Sequence, residues 1–575
     1  MAVLSFSQEH EAGATIVENG KILAAINEER LTRVKNQDGF PSKSIDAVLE
    51  IAHLGTEDID HVIIPEISKA KDLFFNAIPK YPLNVFAKGS SKLPKVMDIV
   101  KQFMMSFYIL VRTYSKVGIS HYFDIRRLKR MFPNAKFHRV EHHVAHAASV
   151  FFCSGLEKAL IVSADYWGDF ASTMVCLGEG KKIDVISRSY FPHSLGHYYA
   201  SLTKWLGFRA NRHEGKILGL AAYGDPHSPA YDEMKDMLFC DGLKIKTPFM
   251  MGKMWHQKIP FFKNTLMHRL KKEYAHKDIA AVFQRRFEEV FTDLVKNCYE
   301  KFGVKNILLV GGSFANVKLN QRVFEVEGIE NVFIFPNMTD GGISTGAALY
   351  YDIVENGNDG GVLSDMYFGP EFTNEQIEQA LKAQNVVYQH HRDIELKVAQ
   401  LLADGKVVAR FDGRMEFGPR ALGNRSILYQ ATDPTVNDWL NKKLGRTEFM
   451  PFAPLTLIEE ADTCYINLKG AEYPAKFMTI TFDCTDYMKQ ASPATVHVDG
   501  TARPQLIDEA TNPGYYRILK EYHRLTGLPS IINTSFNMHE EPIVCTPEDA
   551  VRAFKMGHLE YLAIGDFLAI AGDQS

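Results

Sequence analysis

No two cysteines of this chain stand close enough in sequence to form a CxxC pair. The seven (Cys153, Cys176, Cys240, Cys298, Cys464, Cys484 and Cys545) are odd in number and dispersed. That excludes a disulfide framework or a zinc knuckle and predicts reduced thiols in a cytoplasmic protein. No signal peptide is expected either, because no basic segment followed by an apolar run stands near Met1. The longest apolar stretch, around Phe103 to Val111, falls short of the roughly 20 residues that span a bilayer, so no membrane partner is expected. Charge of one sign is missing too. The 65 basic and 69 acidic side chains leave a net charge of −4, which argues against a nucleic-acid partner. What is present is length. A chain of 575 residues exceeds one hydrophobic core and predicts two or three domains.

The densest chemistry lies at Val140-Glu141-His142-His143-Val144-Ala145-His146-Ala147-Ala148. Small and apolar residues there suit the start of a buried helix. On a helix His142 and His146 are four residues apart and share a face. Two imidazoles so placed can bind one divalent metal and leave positions for oxygen ligands. The motif is not HExxH, since no glutamate lies between the two histidines.

The oxygen ligands are sought at strand ends. Ala2–Ser5 reads as a short buried strand, and Ala14–Val17 and Lys21–Ile26 read as a hairpin turned at Asn19-Gly20. Gln8-Glu9-His10-Glu11 lies between strand and hairpin. The same order returns later: strand Leu160–Ala164, loop Asp165-Tyr166-Trp167-Gly168-Asp169, then strands Ser172–Cys176 and Ile183–Ser187. We read this as an internal duplication. It predicts an α/β first domain on the actin-like, sugar-kinase plan, with ligands in the cleft between halves and Asp165 facing the same cleft as His10. Lys216 precedes Gly219-Leu220-Ala221 and can meet a phosphate. Residues 278–302 read as a long amphipathic helix. Strand Asn306–Val310 ends in Gly311-Gly312, with Asn316 beyond, a turn that suits a nucleotide but is neither Walker A nor GxGxxG. Strand Val332–Phe335 leads to Asp340. His142, His146, Asp165 and Asp340 are therefore the expected metal ligands. Residues 66–135 read as mostly helical, with Lys92, Lys95, Lys101, Arg126, Arg127 and Arg130 as a basic face.

Turn formers at 356–361 place a boundary there, giving domains over 1–358 and 365–575. In the second, Arg410, Arg414, Arg420 and Arg425 alternate with glycines after an apolar strand, and Lys443 and Arg446 follow. Forked guanidiniums beside bare amides suit phosphate or carboxylate groups. His497 and Asp499, ahead of Arg503, fit one face of a strand by period two. Ser530–Asn533 reads as a strand running into the polar turn Thr534-Ser535-Phe536-Asn537. Together these clusters predict a polyanion site.

The ordered set Glu141-His142-His143-x-x-His146, Gly311-Gly312-x-x-x-Asn316, Pro336-Asn337-Met338-x-Asp340, Glu416-Phe417-Gly418-Pro419-Arg420, His497-Val498-Asp499-Gly500-Thr501 and Asn533-Thr534-Ser535-Phe536-Asn537 resembles the O-carbamoyltransferases of nodulation-factor and antibiotic biosynthesis. The resemblance covers nearly the whole chain. It implies an actin-like first domain, similar to the threonylcarbamoyl-transferases and carrying an iron-type metal, with manganese or zinc as the other candidates. It implies an α+β YrdC-like second domain that makes carbamoyl-adenylate from carbamoyl phosphate and magnesium-bound ATP. The carbamoyl group then passes to a hydroxyl of a small-molecule acceptor, a sugar or natural product. Carried over, Arg420, Lys443, Ser535 and Asn533 would hold carbamoyl phosphate and the ATP phosphates, together with the Arg414, Arg425, Arg446, His497, Asp499 and Arg503 cluster. Gly311, Gly312, Asn316 and Lys216 would hold the adenylate, and His10 would be the base. The chain is expected to be a monomer or homodimer. Four positions depart from the family pattern: Glu11 replaces an aspartate, Asn36 a histidine, Tyr166 a glycine and Met450 an arginine. The rival readings are an actin-like ATP-dependent kinase or phosphatase, which leaves the arginine-rich half without a task, and threonylcarbamoyl-type transfer.

Overall fold

The computed structural model describes residues 1–66, 124, 126–191, 193–247, 266–445 and 450–571. Lys92, Lys95 and Lys101 of the expected basic face, the Phe103 to Val111 stretch and Arg446 lie outside these residues.

The first half of the chain builds two five-stranded sheets. In one, β1 (Ala2–Ser7), β2 (Gly13–Glu18), β3 (Lys21–Asn27), β4 (Ile59–Ile64) and β5 (Lys136–Arg139) run in the order β3-β2-β1-β4-β5. Every residue of β1 is buried, as a central strand covered on both faces requires. Asn19 and Gly20 both take positive φ, which matches the twist of a two-residue hairpin. The second sheet contains β6 (Lys158–Gly168), β7 (Ala171–Glu179), β8 (Lys182–Tyr190), β11 (Asn306–Val310) and β12 (Asn331–Ile334), in the order β12-β11-β6-β7-β8. A small ribbon of β9 (Phe239–Asp241) and β10 (Lys244–Lys246) intervenes in sequence. Each sheet is thus a three-strand antiparallel meander with two further parallel strands on the other side of its first strand. This is the duplicated actin-like plan, now visible in the topology. Helix His276–Phe302 is the long amphipathic helix expected over 278–302.

Two helices fill the space between the sheets. His142–Ser154 packs on β6 and β11, Ile343–Tyr350 packs on β1 and β2, and the two pack on each other. Ala145, Ala147 and Ala148 on one and Ala347 and Ala348 on the other are fully buried. Small side chains let the axes approach, and beyond its first-turn histidines the enclosed helix is largely apolar.

The second half forms one mixed eight-stranded sheet. Its strands are β13 (Val387–His390), β14 (Val408–Phe411), β15 (Arg425–Gln430), β16 (Ala453–Leu457), β19 (Gln505–Ile507), β20 (Ser530–Ser535), β21 (Tyr561–Ile564) and β22 (Phe567–Ile570), in the order β13-β22-β21-β14-β15-β20-β16-β19. The segment between β16 and β19, which includes the short pair β17 (Phe482–Asp483) and β18 (Thr501–Ala502), reaches across to the first half. Tyr473 stacks on Phe333 with ring centroids 4.5 Å apart. The Val332 amide donates to the Gly470 carbonyl at 3.1 Å, and Asn320 donates to the Thr479 carbonyl at 2.7 Å. The expected strand through His497 and Asp499 is corrected here. The stretch is a turn, closed by Gly500 N–H to the His497 carbonyl at 2.9 Å. Asp499 accepts from the Thr501 hydroxyl at 2.7 Å, so Asp-Gly turn chemistry overrides the period-two pattern.

Candidate functional site

Parallel strands deliver their carboxyl ends to one crevice, the usual place for a ligand in such sheets. Asp165 lies inside β6, not in the loop expected over Asp165–Asp169: the strand runs on to Gly168, and its pairing with β7 loses register between Ala164 and Gly168, a bulge that re-aims the side chain. Gly311 and Gly312 follow β11, and Asp340 follows β12. Gly311 has φ 101°, and a Cβ there would meet the Ala164 carbonyl oxygen at 2.2 Å. Only glycine lets this turn lie against β6. The His142–Ser154 helix starts at the same place, with the His142 amide donating to Asp169 Oδ2 at 2.9 Å. Glu141 is tied to Arg188 by an ion pair.

The structure brings His142, His146, Asp165 and Asp340 together, with one donor atom from each inside a mutual spacing of 4.8 Å. His146 Nε2 lies 3.2 Å from Asp165 Oδ2 and 3.5 Å from Asp340 Oδ1. His142 Nε2 lies 3.5 Å from Asp340 Oδ1 and 4.0 Å from Asp165 Oδ2. Both rings are 0% exposed. Neither Nε2, nor Asp165 Oδ2, nor Asp340 Oδ1 has a hydrogen-bond partner among the described residues. Buried polar atoms are ordinarily paired, and two imidazoles with two carboxylates are a donor set for a divalent ion. The residues fit a metal. His143 is apart from the set: its Nδ1 pairs with the Ser163 hydroxyl at 2.8 Å.

Charge in the cluster is strongly perturbed. Burial opposes protonation of His142, but Glu9, Asp165 and Asp340 outweigh it and hold its pKa well above the usual value. Burial, helped by the neighbouring His142, carries His146 downward despite Asp165. Asp165 is held well below the carboxylate range by the two histidines despite its burial. Burial and the neighbouring Asp165 push Asp340 well up. Glu9, whose Oε2 is 3.5 Å from His142 Nδ1, is pushed by burial up to about 7.

His10 is exposed on the same loop as Glu9. Its Nε2 is 2.9 Å from Asn36 Nδ2 and 3.1 Å from the Asn211 carbonyl. Glu11 accepts from the Thr339 hydroxyl next to Asp340. Tyr166 donates its amide to Asp165 Oδ1 at 2.7 Å and pairs its hydroxyl with His197 Nδ1 at 2.6 Å.

Between the two halves of the chain lies a cavity of 350 Å³. Lys35, Arg212 and Lys216 reach it from the first half, and Arg420, Arg503 and Asn533 from the second. A narrower cavity of 100 Å³ shares Lys35, Pro419, Ser535 and Asn537 with it and extends to Glu11 and Asn337. The two form a continuous polar path from Arg420 to the loop that carries His10. A third cavity, of 510 Å³, is bounded by Gly219, Gln284, Val317, Lys318, His497 and Asp499. Asp499 forms an ion pair with Lys318 at 2.9 Å, which brings its pKa down to about 2 in spite of burial.

Several expected phosphate contacts are placed elsewhere. Arg425 is fully buried and donates to the carbonyls of Asp412 at 2.7 Å and Asn424 at 2.9 Å, with its guanidinium 3.7 Å from the Phe411 ring. Arg414 donates to the carbonyls of Leu23 at 2.9 Å and Phe368 at 3.0 Å, fastening the two halves. Asn316 caps the Val317–Phe324 helix and pairs with Gln284. Lys443 ends the Val436–Lys443 helix and lines none of these three cavities. Glu9, Lys35 and Arg212 were not singled out from sequence. Lys35 carried a signal, since it sits beside the Asn36 departure; Glu9 and Arg212 carried none.

Residues 3–349 match the family model described as carbamoyltransferase N-terminus, and residues 399–570 match that described as carbamoyltransferase C-terminus. An uncharacterized protein of Synechocystis is 33% identical, over 97% of this chain and 95% of its own length. An uncharacterized protein of Methanocaldococcus jannaschii is 31% identical, over 97% of each chain. Nodulation protein NolNO of Sinorhizobium fredii is 30% identical, over 97% of this chain and 78% of its own.

Proposed function

The chain belongs to the carbamoyltransferase family, and from that premise we propose that it makes carbamoyl-adenylate from carbamoyl phosphate and ATP and transfers the carbamoyl group to a small-molecule hydroxyl. The observation that carries this reading is the continuous path from Arg420 to Glu11. At one end is a cationic chamber suited to phosphates, and at the other is Glu11, which is bonded to Thr339, the neighbour of Asp340.

The eight-stranded half is the adenylate-forming unit, which we read as YrdC-like, and the duplicated half is the transfer unit. In the chamber, carbamoyl phosphate and water give carbamate and phosphate. A carbamate oxygen then attacks the α-phosphorus of ATP, forming the P–O bond and expelling pyrophosphate. Carbamate alone is a poor acyl donor; adenylation makes AMP its leaving group. Arg420, Arg503 and Lys216 oppose the charge that develops on phosphorus, and the carboxamide of Asn533 and the hydroxyl of Ser535 orient the carbamoyl group. A divalent metal (iron, manganese or zinc) held by His142, His146, Asp165 and Asp340 supplies Lewis-acid polarisation and neutralises phosphate charge. At the His10 loop the acceptor oxygen attacks the carbamoyl carbon, the bond to AMP breaks, and the hydroxyl proton passes to His10. If His10 donates its Nε2 proton to the Asn211 carbonyl, Nδ1 is the basic nitrogen. Pyrophosphate release, followed with and without carbamoyl phosphate, tests this. Release only with the donor is expected, and equal rates would refute it.

A further inference from the structure

A histidine that ligates a metal through one ring nitrogen carries its proton on the other. That proton needs an acceptor to fix the tautomer. His142 presents Nε2 to Asp165 and Asp340, so the proton belongs on Nδ1. The ring packs against Gly168, where an added Cβ would fall 2.1 Å from His142 Cδ2. Nδ1 is buried and has no hydrogen-bond partner. Asp169 is committed to the His142 main-chain amide. The carboxylate facing Nδ1 is that of Glu9, at 3.5 Å. Its side chain is 37% exposed, on the loop between β1 and β2.

Resting on the reading that this cluster holds a metal, we infer that Glu9 is a positioning residue that accepts the His142 Nδ1 proton and so keeps Nε2 bare for the ion. It touches neither metal nor substrate. Its task is to make the first half's loop, between β1 and β2, part of a site whose ligands all come from later in the chain. The loop that bears His10 is thereby registered against the ion.

The test is the affinity of the full chain for zinc ion, measured by competition with a chromogenic chelator after metal removal. Glu9→Ala should weaken binding roughly tenfold to a hundredfold, the usual cost of losing such a partner. Glu9→Gln keeps a carbonyl acceptor for the same proton and should bind within about threefold of wild type. His142→Ala should lose the site. Melting curves of the metal-free proteins should coincide, which separates positioning from folding. Wild-type affinity in Glu9→Ala would overturn the inference and leave the metal reading standing. Glu9→Gln as weak as Glu9→Ala would also overturn it, because charge and not proton acceptance would then be at work. Failure of wild type to bind zinc through His142 would overturn both.

Discussion

Metal should stabilise this protein, and the size of the effect follows from the cluster. His142, His146, Asp165 and Asp340 bury at least four donor atoms without partners, and each unsatisfied buried polar group costs about 1–3 kcal/mol. An ion that satisfies them binds the folded chain and not the unfolded one. At a free concentration about a hundred times its dissociation constant it adds about 2.7 kcal/mol. One kcal/mol moves the midpoint of a domain of about 200 residues by about 2–4 °C, and a larger unit by less. The expected rise for the first half is therefore about 3–5 °C. The assay is calorimetry on chelator-treated protein, with manganese or zinc added back. A His142→Ala, His146→Ala double variant should show no rise, because the metal-ion term has gone with its ligands. An equal rise in the double variant, or none in wild type, would refute the reasoning.

Gly168→Ala should cost about 1–3 kcal/mol, as overpacking does, and lower metal content, because the new methyl displaces the His142 ring; elemental analysis and urea denaturation check both. Arg420→Ala should slow carbamoyl-phosphate-dependent pyrophosphate release roughly a hundredfold, the loss typical of one charge-stabilising contact, measured by a coupled pyrophosphate assay. His10→Ala should preserve pyrophosphate release and lower acceptor carbamoylation by roughly a hundred- to ten-thousandfold, with the two products quantified separately. Asp499→Asn should destabilise the chain by about 1 kcal/mol at pH 7, allowing for solvent screening of a partly exposed pair. The Asp499 pKa is depressed to about 2, so its contribution is complete above the ordinary carboxylate range and is lost as pH falls through about 2. In urea melts the difference between wild type and variant should be full at pH 7 and only partly reduced at pH 3, because the loss is complete only below about pH 2.

The grouping of two histidines with two aspartates and the duplication were legible because their signals are local. His142 and His146 sit four apart on one helix, and each acid follows an apolar run. The strand, acidic loop and hairpin recur in both sheets. What escaped depends on contacts between segments far apart in sequence. Arg414, Arg420 and Arg425 lie in one glycine-rich stretch and look alike, yet Arg425 is buried against Phe411, Arg414 spans to Leu23, and Arg420 opens on the chamber. Only the packing of β14 and β15 separates them. The approach of Glu9 to His142 joins two elements with no shared pattern. The crossing of residues near Gly470 to β12 follows from surface complementarity and not from periodicity. At His497 and Asp499 the alternation misled, because the Asp-Gly pair closes a turn there.

The central claim is that the donor is carried as an adenylate between two sites of one chain. A single-turnover experiment with radiolabelled carbamoyl phosphate and ATP, quenched and separated without any acceptor, examines it directly. Labelled carbamoyl-AMP and pyrophosphate are expected in wild type and in His10→Ala, and little of either in Arg420→Ala. Formation of ADP in place of AMP species, or of no labelled adenylate in wild type, would contradict it.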